Sequence, residues 1–395
     1  MSKRILIFST VYLPLIGGAE VAVKEITDRL GGDFSFDLIC ARIKKALPKE
    51  EKIGQVNVYR LGCGCFFDKY CLALLGHFFA AKLHKKNNYN AIWAIMASFG
   101  GFAAMFFKKQ NPAVPFLLTL QEGDPLGYIE RRVGIFKKWF RQIFRRADYI
   151  QAISNFLADW AKKMGAKCPI EVVPNGVDLE KFQSSVILSS DGMPASRRQA
   201  TASRGGKSLK EKLGIKENEK IIITVSRLVK KNGVGDLIEA MQYLPENVKL
   251  LIVGDGEERA HLSFVIGNLS LGNKVFLLGS VPPDKVIEYY LVSNIFVRSS
   301  LSEGLGNVFL EAMAAGLPII GTRVGGIPDF LRDGETGLFC EVQNPQSIAD
   351  KINLLLGDES LRRKLIDNGK SLVAEKYDWN NIAKKMESIF NNLKA

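Results

Sequence analysis

Ser299-Ser300-Leu301-Ser302-Glu303-Gly304-Leu305-Gly306-Asn307-Val308-Phe309-Leu310-Glu311-Ala312-Met313-Ala314-Ala315-Gly316 follows the apolar run Ile295 to Val297. Read outward, it is a strand, a turn of small residues and a helix that opens near Gly306. The helix is apolar on more than one side, through Val308, Phe309, Leu310, Ala312, Met313 and Ala315, as a helix in an α/β core would be. Glu303 falls in the turn and Glu311 about a turn and a half into the helix. Glycines let a ligand approach the backbone, and the N–H groups of a first helical turn attract anions. Two carboxylates beside such a turn can take hydroxyls, so the stretch suits a ligand carrying both phosphate and sugar. A solvated Glu303 in an ordinary strand–turn–helix is the plain alternative. It suits Glu311 less well, because a carboxylate among apolar neighbours needs partners.

The spacing Glu303 to Glu311 within EGLGNVFLEAMAAGLPII resembles the signature of family 4 of the retaining glycosyltransferases, which have the GT-B fold. Thr322-Arg323-Val324-Gly325-Gly326-Ile327-Pro328-Asp329 and Asp333-Gly334-Glu335-Thr336-Gly337-Leu338 continue the likeness, which extends over nearly the whole chain. The resemblance implies an α/β protein of two Rossmann-like, doubly wound parallel-sheet domains facing across a cleft. It also implies transfer of a hexose from a UDP- or GDP-linked sugar to an acceptor hydroxyl. Glu311 would hold the ribose hydroxyls and Glu303 a hydroxyl of the sugar. N–H groups at Gly306, Asn307 and Val308 would meet the diphosphate.

Working back along the second half, Lys220–Ser226 reads as a strand, and Arg227-Leu228-Val229-Lys230-Lys231-Asn232 follows its end. Cations there stand where phosphates bind in α/β sheets and would offset the charge of a departing nucleoside diphosphate. Members of the family commonly have the phosphate lysine five residues after the arginine, where this chain has Asn232. Lys231 is the nearest substitute, so Arg227, Lys231 and Glu303 are the expected catalytic group. Gly254, in the turn after Lys249–Val253, is expected to line the nucleotide through its backbone.

The first half alternates strand-like runs at 3–9, 36–40, 56–61, 91–97, 115–120, 149–154 and 171–174 with helical stretches, as a parallel sheet does. A dinucleotide-dependent dehydrogenase is excluded, since no GxGxxG follows the first strand. Gly17 and Gly18 lie between that strand and the first helix, where the resemblance places the donor diphosphate and the acceptor. Gln121 stands where many relatives have a histidine touching the donor sugar. With Glu122 and Asp124 it forms the acceptor-side candidate group, read as polar residues of a turn. Arg131 to Arg146 reads as one basic amphipathic helix with Ile135, Phe136, Trp139, Phe140, Ile143 and Phe144 at helical spacing. It can pack that face on the sheet and still present its charges to an anionic bilayer.

The expected division is a basic acceptor-side domain over 1–183, a linker or insertion over 184–207, a nucleotide-sugar domain over 208–378, and a last helix, 379–395, that returns to the first domain. Residues 1–183 carry 27 Lys and Arg against 16 Asp and Glu, whereas 208–395 carry 23 against 24. Most of the net charge of +13 therefore resides in the first half and predicts an anionic partner there, with lipid-linked or cell-envelope glycans favoured. No apolar run approaches the roughly 20 residues of a membrane span. The cytoplasm, including the inner face of the cell membrane, is the expected location. The six cysteines lack paired CxxC spacing. Cys63 and Cys65 with Cys71 can be imagined around a metal, but reduced thiols are the expectation. No DxD-type cluster is placed to hold the diphosphate, so transfer is expected to be metal-independent and to need no cofactor. Nucleic acid is not an expected partner. Two other readings are a GT-B-type phosphorylase or sugar-nucleotide epimerase, and a non-enzymatic basic membrane or nucleic-acid module with a degenerate sugar site.

Overall fold

The structure is a computed structural model that describes residues 2–182 and 209–394; the expected insertion at 184–207 lies outside the described residues. The chain divides into two compact units, one made of 1–175 with 379–395 and the other of 176–378.

In the first unit eight strands run in the order β3-β4-β2-β1-β5-β6-β7-β8. They are β1 (Lys3–Phe8), β2 (Phe34–Ala41), β3 (Glu50–Ile53), β4 (Val56–Leu61), β5 (Ala91–Ile95), β6 (Phe116–Leu120), β7 (Tyr149–Ala152) and β8 (Ile170–Val172). All neighbours are parallel except β3 and β4. This antiparallel edge was not legible as a strand. Glu50-Glu51-Lys52-Ile53 has three consecutive charges on alternately exposed and half-buried positions, and Gly54, at φ 56°, turns it back onto β4. The central strands are buried on both faces, which is why they read as continuous apolar runs.

Helices α1 (Gly18–Leu30), α2 (Asp68–Asn87), α3 (Phe99–Gln110), α4 (Leu126–Val133), α5 (Lys137–Arg146) and α6 (Asn155–Met164) connect them. One core joins Ile5, Ile7, Val23, Ile26, Phe36 and Trp93 to Trp379, Ile382, Met386 and Phe390 of the last helix. The Phe390 ring meets Phe34, Phe36 and Trp93 with centroids 5.2–6.3 Å apart. The segment expected to be one basic helix over 131–146 is broken instead. Gly134 at φ 52° ends α4, a single 3-10 turn follows, and α5 begins at Lys137. Phe140, Ile143 and Phe144 are buried, with Phe140 and Phe144 against Trp160, while Ile135 (91% exposed), Phe136 and Trp139 face solvent. The apolar face is thus divided between the core and the surface.

The second unit has six parallel strands in the order β11-β10-β9-β12-β13-β14. They are β9 (Lys220–Val225), β10 (Val248–Val253), β11 (Val275–Gly279), β12 (Ile295–Arg298), β13 (Ile319–Thr322) and β14 (Leu338–Cys340). Its helices are α7 (Val234–Ala240), α8 (Arg259–Asn268), α9 (Pro283–Val292), α10 (Asn307–Ala314), α11 (Pro345–Gly357) and α12 (Glu359–Lys376); the last helix of the chain, α13 (Trp379–Asn392), belongs to the first unit. Ile222, Leu250, Ile252, Ile295, Val297 and Ile320 from the strands pack with Leu237, Ile238 and Ile352 from the helices. No helix is long and apolar enough to cross a membrane among the described residues.

Candidate functional site

In the second sheet the strand order reverses between β9 and β12, so the loops leaving their carboxyl ends flank a switch point. Ligands of open α/β sheets sit at such switch points. The two loops are 226–233, with Arg227 and Lys231, and 299–306, with Glu303. The sequence motifs thus converge because each follows one of the two strands that flank the reversal.

Hydrogen bonds lock the loops to each other. Leu301 N donates to the Lys231 carbonyl at 2.7 Å, and Ser302 N to the same oxygen at 3.3 Å. Ser299 Oγ donates to the Gly233 carbonyl at 2.7 Å. A Cβ on Gly233, whose φ is 63°, would come within 1.9 Å of the Ser299 carbonyl oxygen, so only glycine permits this approach. Asn232 is buried; its Nδ2 donates to the Arg227 carbonyl at 2.7 Å. The departure at this position is therefore a structural brace of the loop, whose cations are exposed Arg227 and Lys230 and partly exposed Lys231. Gly254, at φ 132°, follows β10; its N–H donates to the Gly279 carbonyl at 2.8 Å, and a Cβ there would strike the Ser226 carbonyl.

Glu303 is not a solvated turn residue. Its carboxylate pairs with Arg298 Nη2 at 2.9 Å, with both side chains largely buried. Arg298 ends β12 and also donates to Ser300 Oγ at 3.0 Å and to the Val225 carbonyl at 3.0 Å. It therefore ties the ends of both switch-point strands to the Glu303 turn. Sequence reading missed it, although a cation closing an otherwise apolar strand is a signal, since such a charge needs a partner. Gly325 presses from the other side: at φ 54°, a Cβ would lie 1.7 Å from the Glu303 carbonyl oxygen, which accepts from Gly326 N at 3.1 Å.

Gly306, at φ 93°, turns the chain into α10, and Asn307 and Val308 form its partly exposed first turn. Glu311 accepts a hydrogen bond from Tyr290 Oη at 3.0 Å. Burial pushes its pKa up, against the pull of that bond and of the charges on Arg298 and Lys181. Tyr290 is buried and its hydroxyl is driven well above its ordinary pKa, first by burial and then by Glu311. A second hydroxyl donor to Glu311, which is half-buried, would join Tyr290 at this carboxylate.

In the first unit the order reverses between β1 and β5. The loops there are joined by the Thr10 and Ser98 hydroxyls, 2.9 Å apart. Gly17 and Gly18 do start α1, but the Glu20 carboxylate folds back toward them, so that a Cβ on Gly17 would lie 2.6 Å from Glu20 Oε2. An anion arriving at this helix start would have to displace Glu20. Glu122 is not an exposed turn acid: it is buried, accepts from Ala97 N at 2.6 Å, and burial pushes its pKa up to about 7. It braces the loop after β5 from the end of β6. Gln121 Oε1 accepts from Asn175 Nδ2 at 3.1 Å, and Asp124 is partly exposed beside them. Asp68 was not singled out at all; it joins Cys63 and Cys65 at the end of β4, whereas Cys71 does not.

Comparison with known proteins bears on the family and the fold. Residues 207–372 match the family model of glycosyl transferases group 1, and residues 16–181 match that of glycosyltransferase family 4. The chain belongs to this family, and its two units have the GT-B fold. Over 184 residues it is 39% identical to the N-acetyl-alpha-D-glucosaminyl L-malate synthase of Bacillus anthracis, covering 46% of this chain and 48% of that protein. The match thus spans about half the length of that relative. A putative teichuronic acid biosynthesis glycosyltransferase of Bacillus subtilis is 27% identical over 73% of this chain and 66% of its own. In structure, sucrose-phosphate synthase from Thermosynechococcus elongatus superposes with a TM-score of 0.81 at 22% identity, covering 99% of this chain and 98% of that one.

Proposed function

We propose that this protein transfers a hexose, with retention of configuration, from a UDP- or GDP-linked sugar to a hydroxyl of a lipid-linked or cell-envelope glycan. One observation carries the reading: Arg227, Lys231 and Glu303 stand on two loops at one strand-order reversal, locked together at the Lys231 carbonyl, and Glu311 stands on α10, which follows the second loop. Glu311 binds the ribose hydroxyls and Glu303 a sugar hydroxyl. Arg227 and Lys231 take the diphosphate with the N–H groups at Gly306, Asn307 and Val308. The acceptor oxygen bonds to the anomeric carbon on the face that the phosphate leaves. The sugar–phosphate bond breaks, and the acceptor proton passes to the departing phosphate oxygen. No protein nucleophile is needed; the residues position the donor and offset the charge that grows on the leaving group. The diphosphate is balanced by protein cations, so transfer needs no metal. The glycan acceptor is supported by the teichuronic acid relative and by the excess of cations in residues 1–183. The same excess, with exposed Ile135, Phe136 and Trp139, supports peripheral attachment to the inner face of an anionic membrane.

Thermal shift with UDP, GDP and ADP in chelator tests the donor site. One of the first two should stabilise the wild type and leave Glu311→Ala and Arg227→Ala unmoved. Equal stabilisation of all three proteins would place the nucleotide elsewhere.

A further inference from the structure

We propose that Cys63, Cys65 and Asp68 form a binding site for a thiophilic divalent cation of the zinc type, at the start of α2. Leu61 ends β4, and the chain Gly62-Cys63-Gly64-Cys65 wraps over the Asp68 carboxylate. That carboxylate is buried and accepts three N–H groups of the loop: Gly64 at 2.6 Å, Cys65 at 3.0 Å and Cys63 at 3.1 Å. The wrap points both thiols at one carboxylate oxygen. Cys63 Sγ lies 3.5 Å from Asp68 Oδ1, Cys65 Sγ lies 3.4 Å from it, and the sulfurs are 3.5 Å apart.

This triangle has the size of a coordination face. Tetrahedral zinc, with sulfur at about 2.3 Å and oxygen at about 2.1 Å, separates two sulfurs by about 3.8 Å and sulfur from oxygen by about 3.6 Å. No edge needs to open by more than about 0.3 Å to admit the ion. The loop is committed to this shape before any ion arrives. Gly62 and Gly64 have φ of 108° and 92°. A Cβ on Gly62 would lie 2.1 Å from the Asp68 carboxyl carbon, and one on Gly64 2.5 Å from the Lys45 backbone. Two thiolates and a carboxylate leave the complex one negative charge in excess, and exposed Lys44 and Lys45 stand beside the loop to offset it. On binding, each thiol gives its proton to solvent, and the ion takes three protein bonds. Cys63 is exposed, so the fourth position faces water or an oxygen ligand. The bound ion staples the end of β4 to the first turn of α2.

Cobalt titration of the reduced, anaerobic protein tests this. The wild type should take one equivalent of Co2+, with a sulfur-to-cobalt charge-transfer band and the intense d–d absorption of a tetrahedral thiolate site, both abolished by excess Zn2+. Cys63→Ser and Cys65→Ser should each weaken binding at least about tenfold, and the double variant should lose the band. Asp68→Asn, checked for native circular dichroism, should weaken binding while both thiols remain titratable. Cys71→Ser should bind as the wild type does. Absence of the charge-transfer band in the wild type would overturn the proposal, as would an unchanged band in the double variant. So would recovery of the pair only as a Cys63–Cys65 disulfide that takes no cobalt after reduction.

Discussion

Arg298 and Glu303 hold each other in a setting where neither can be removed without cost. A nearly buried ion pair broken on one side leaves an unpaired charge, which costs about 3 kcal/mol. Glu303→Ala should therefore lose transfer and also melt early, whereas Glu303→Gln should lose transfer at a stability closer to wild type. Denaturant melts beside turnover separate the two; wild-type stability in both variants would deny the pair its structural role. Glu122 makes a second, pH-dependent prediction. Burial raises its pKa from 4.5 to about 7, so the folded state favours the protonated acid. That stability is complete below the unfolded pKa and is lost as pH rises through about 7, by at most about 3 kcal/mol. Glu122→Gln cannot ionise and should gain on wild type from about pH 4.5 to about pH 7 and stay level above that. Parallel stability–pH curves for the two proteins would refute the assignment.

At the scale of elements, the site depends on turns that only glycine can make. Gly325→Ala would drive a Cβ against the Glu303 carbonyl at a φ of 54°. It should cost about 2 kcal/mol or more and weaken nucleotide binding through the displaced Glu303 turn. A variant with wild-type stability and affinity would show that the turn yields freely. The elements differ in how legible they were. The strand–turn–helix at 295–316 was readable because its apolar run, small-residue turn and two glutamates are consecutive in the chain. Arg298 was not, because its meaning depends on Val225, Ser300 and Glu303 being brought to it by neighbouring strands. Glu122 looked like a turn acid for the same reason: its partner, Ala97 N, lies 25 residues away. Strand β3 carries charge where β-propensity would be sought, and the helix expected over 131–146 breaks at a single glycine that periodicity passes over.

Across the whole molecule, the cations of residues 1–183 and the apolar side chains that remain outside the core at 135, 136 and 139 belong to one account of attachment. The protein should float with anionic vesicles but not neutral ones, and should be released by salt, which screens surface charge. Ile135→Ser with Phe136→Ser should weaken flotation without lowering stability; equal flotation with neutral vesicles would contradict a charge-led attachment. The central claim is transfer from a nucleotide sugar at the second unit's strand reversal. Its most direct measurement is release of nucleoside diphosphate from UDP- and GDP-hexoses, in chelator, with an envelope-lipid acceptor fraction. The account predicts acceptor-dependent release by the wild type, loss of about a hundredfold or more in Arg227→Ala, and a product with the donor's anomeric configuration. Sugar 1-phosphate formed from orthophosphate, or release that survives Arg227→Ala and Glu311→Ala, would contradict it.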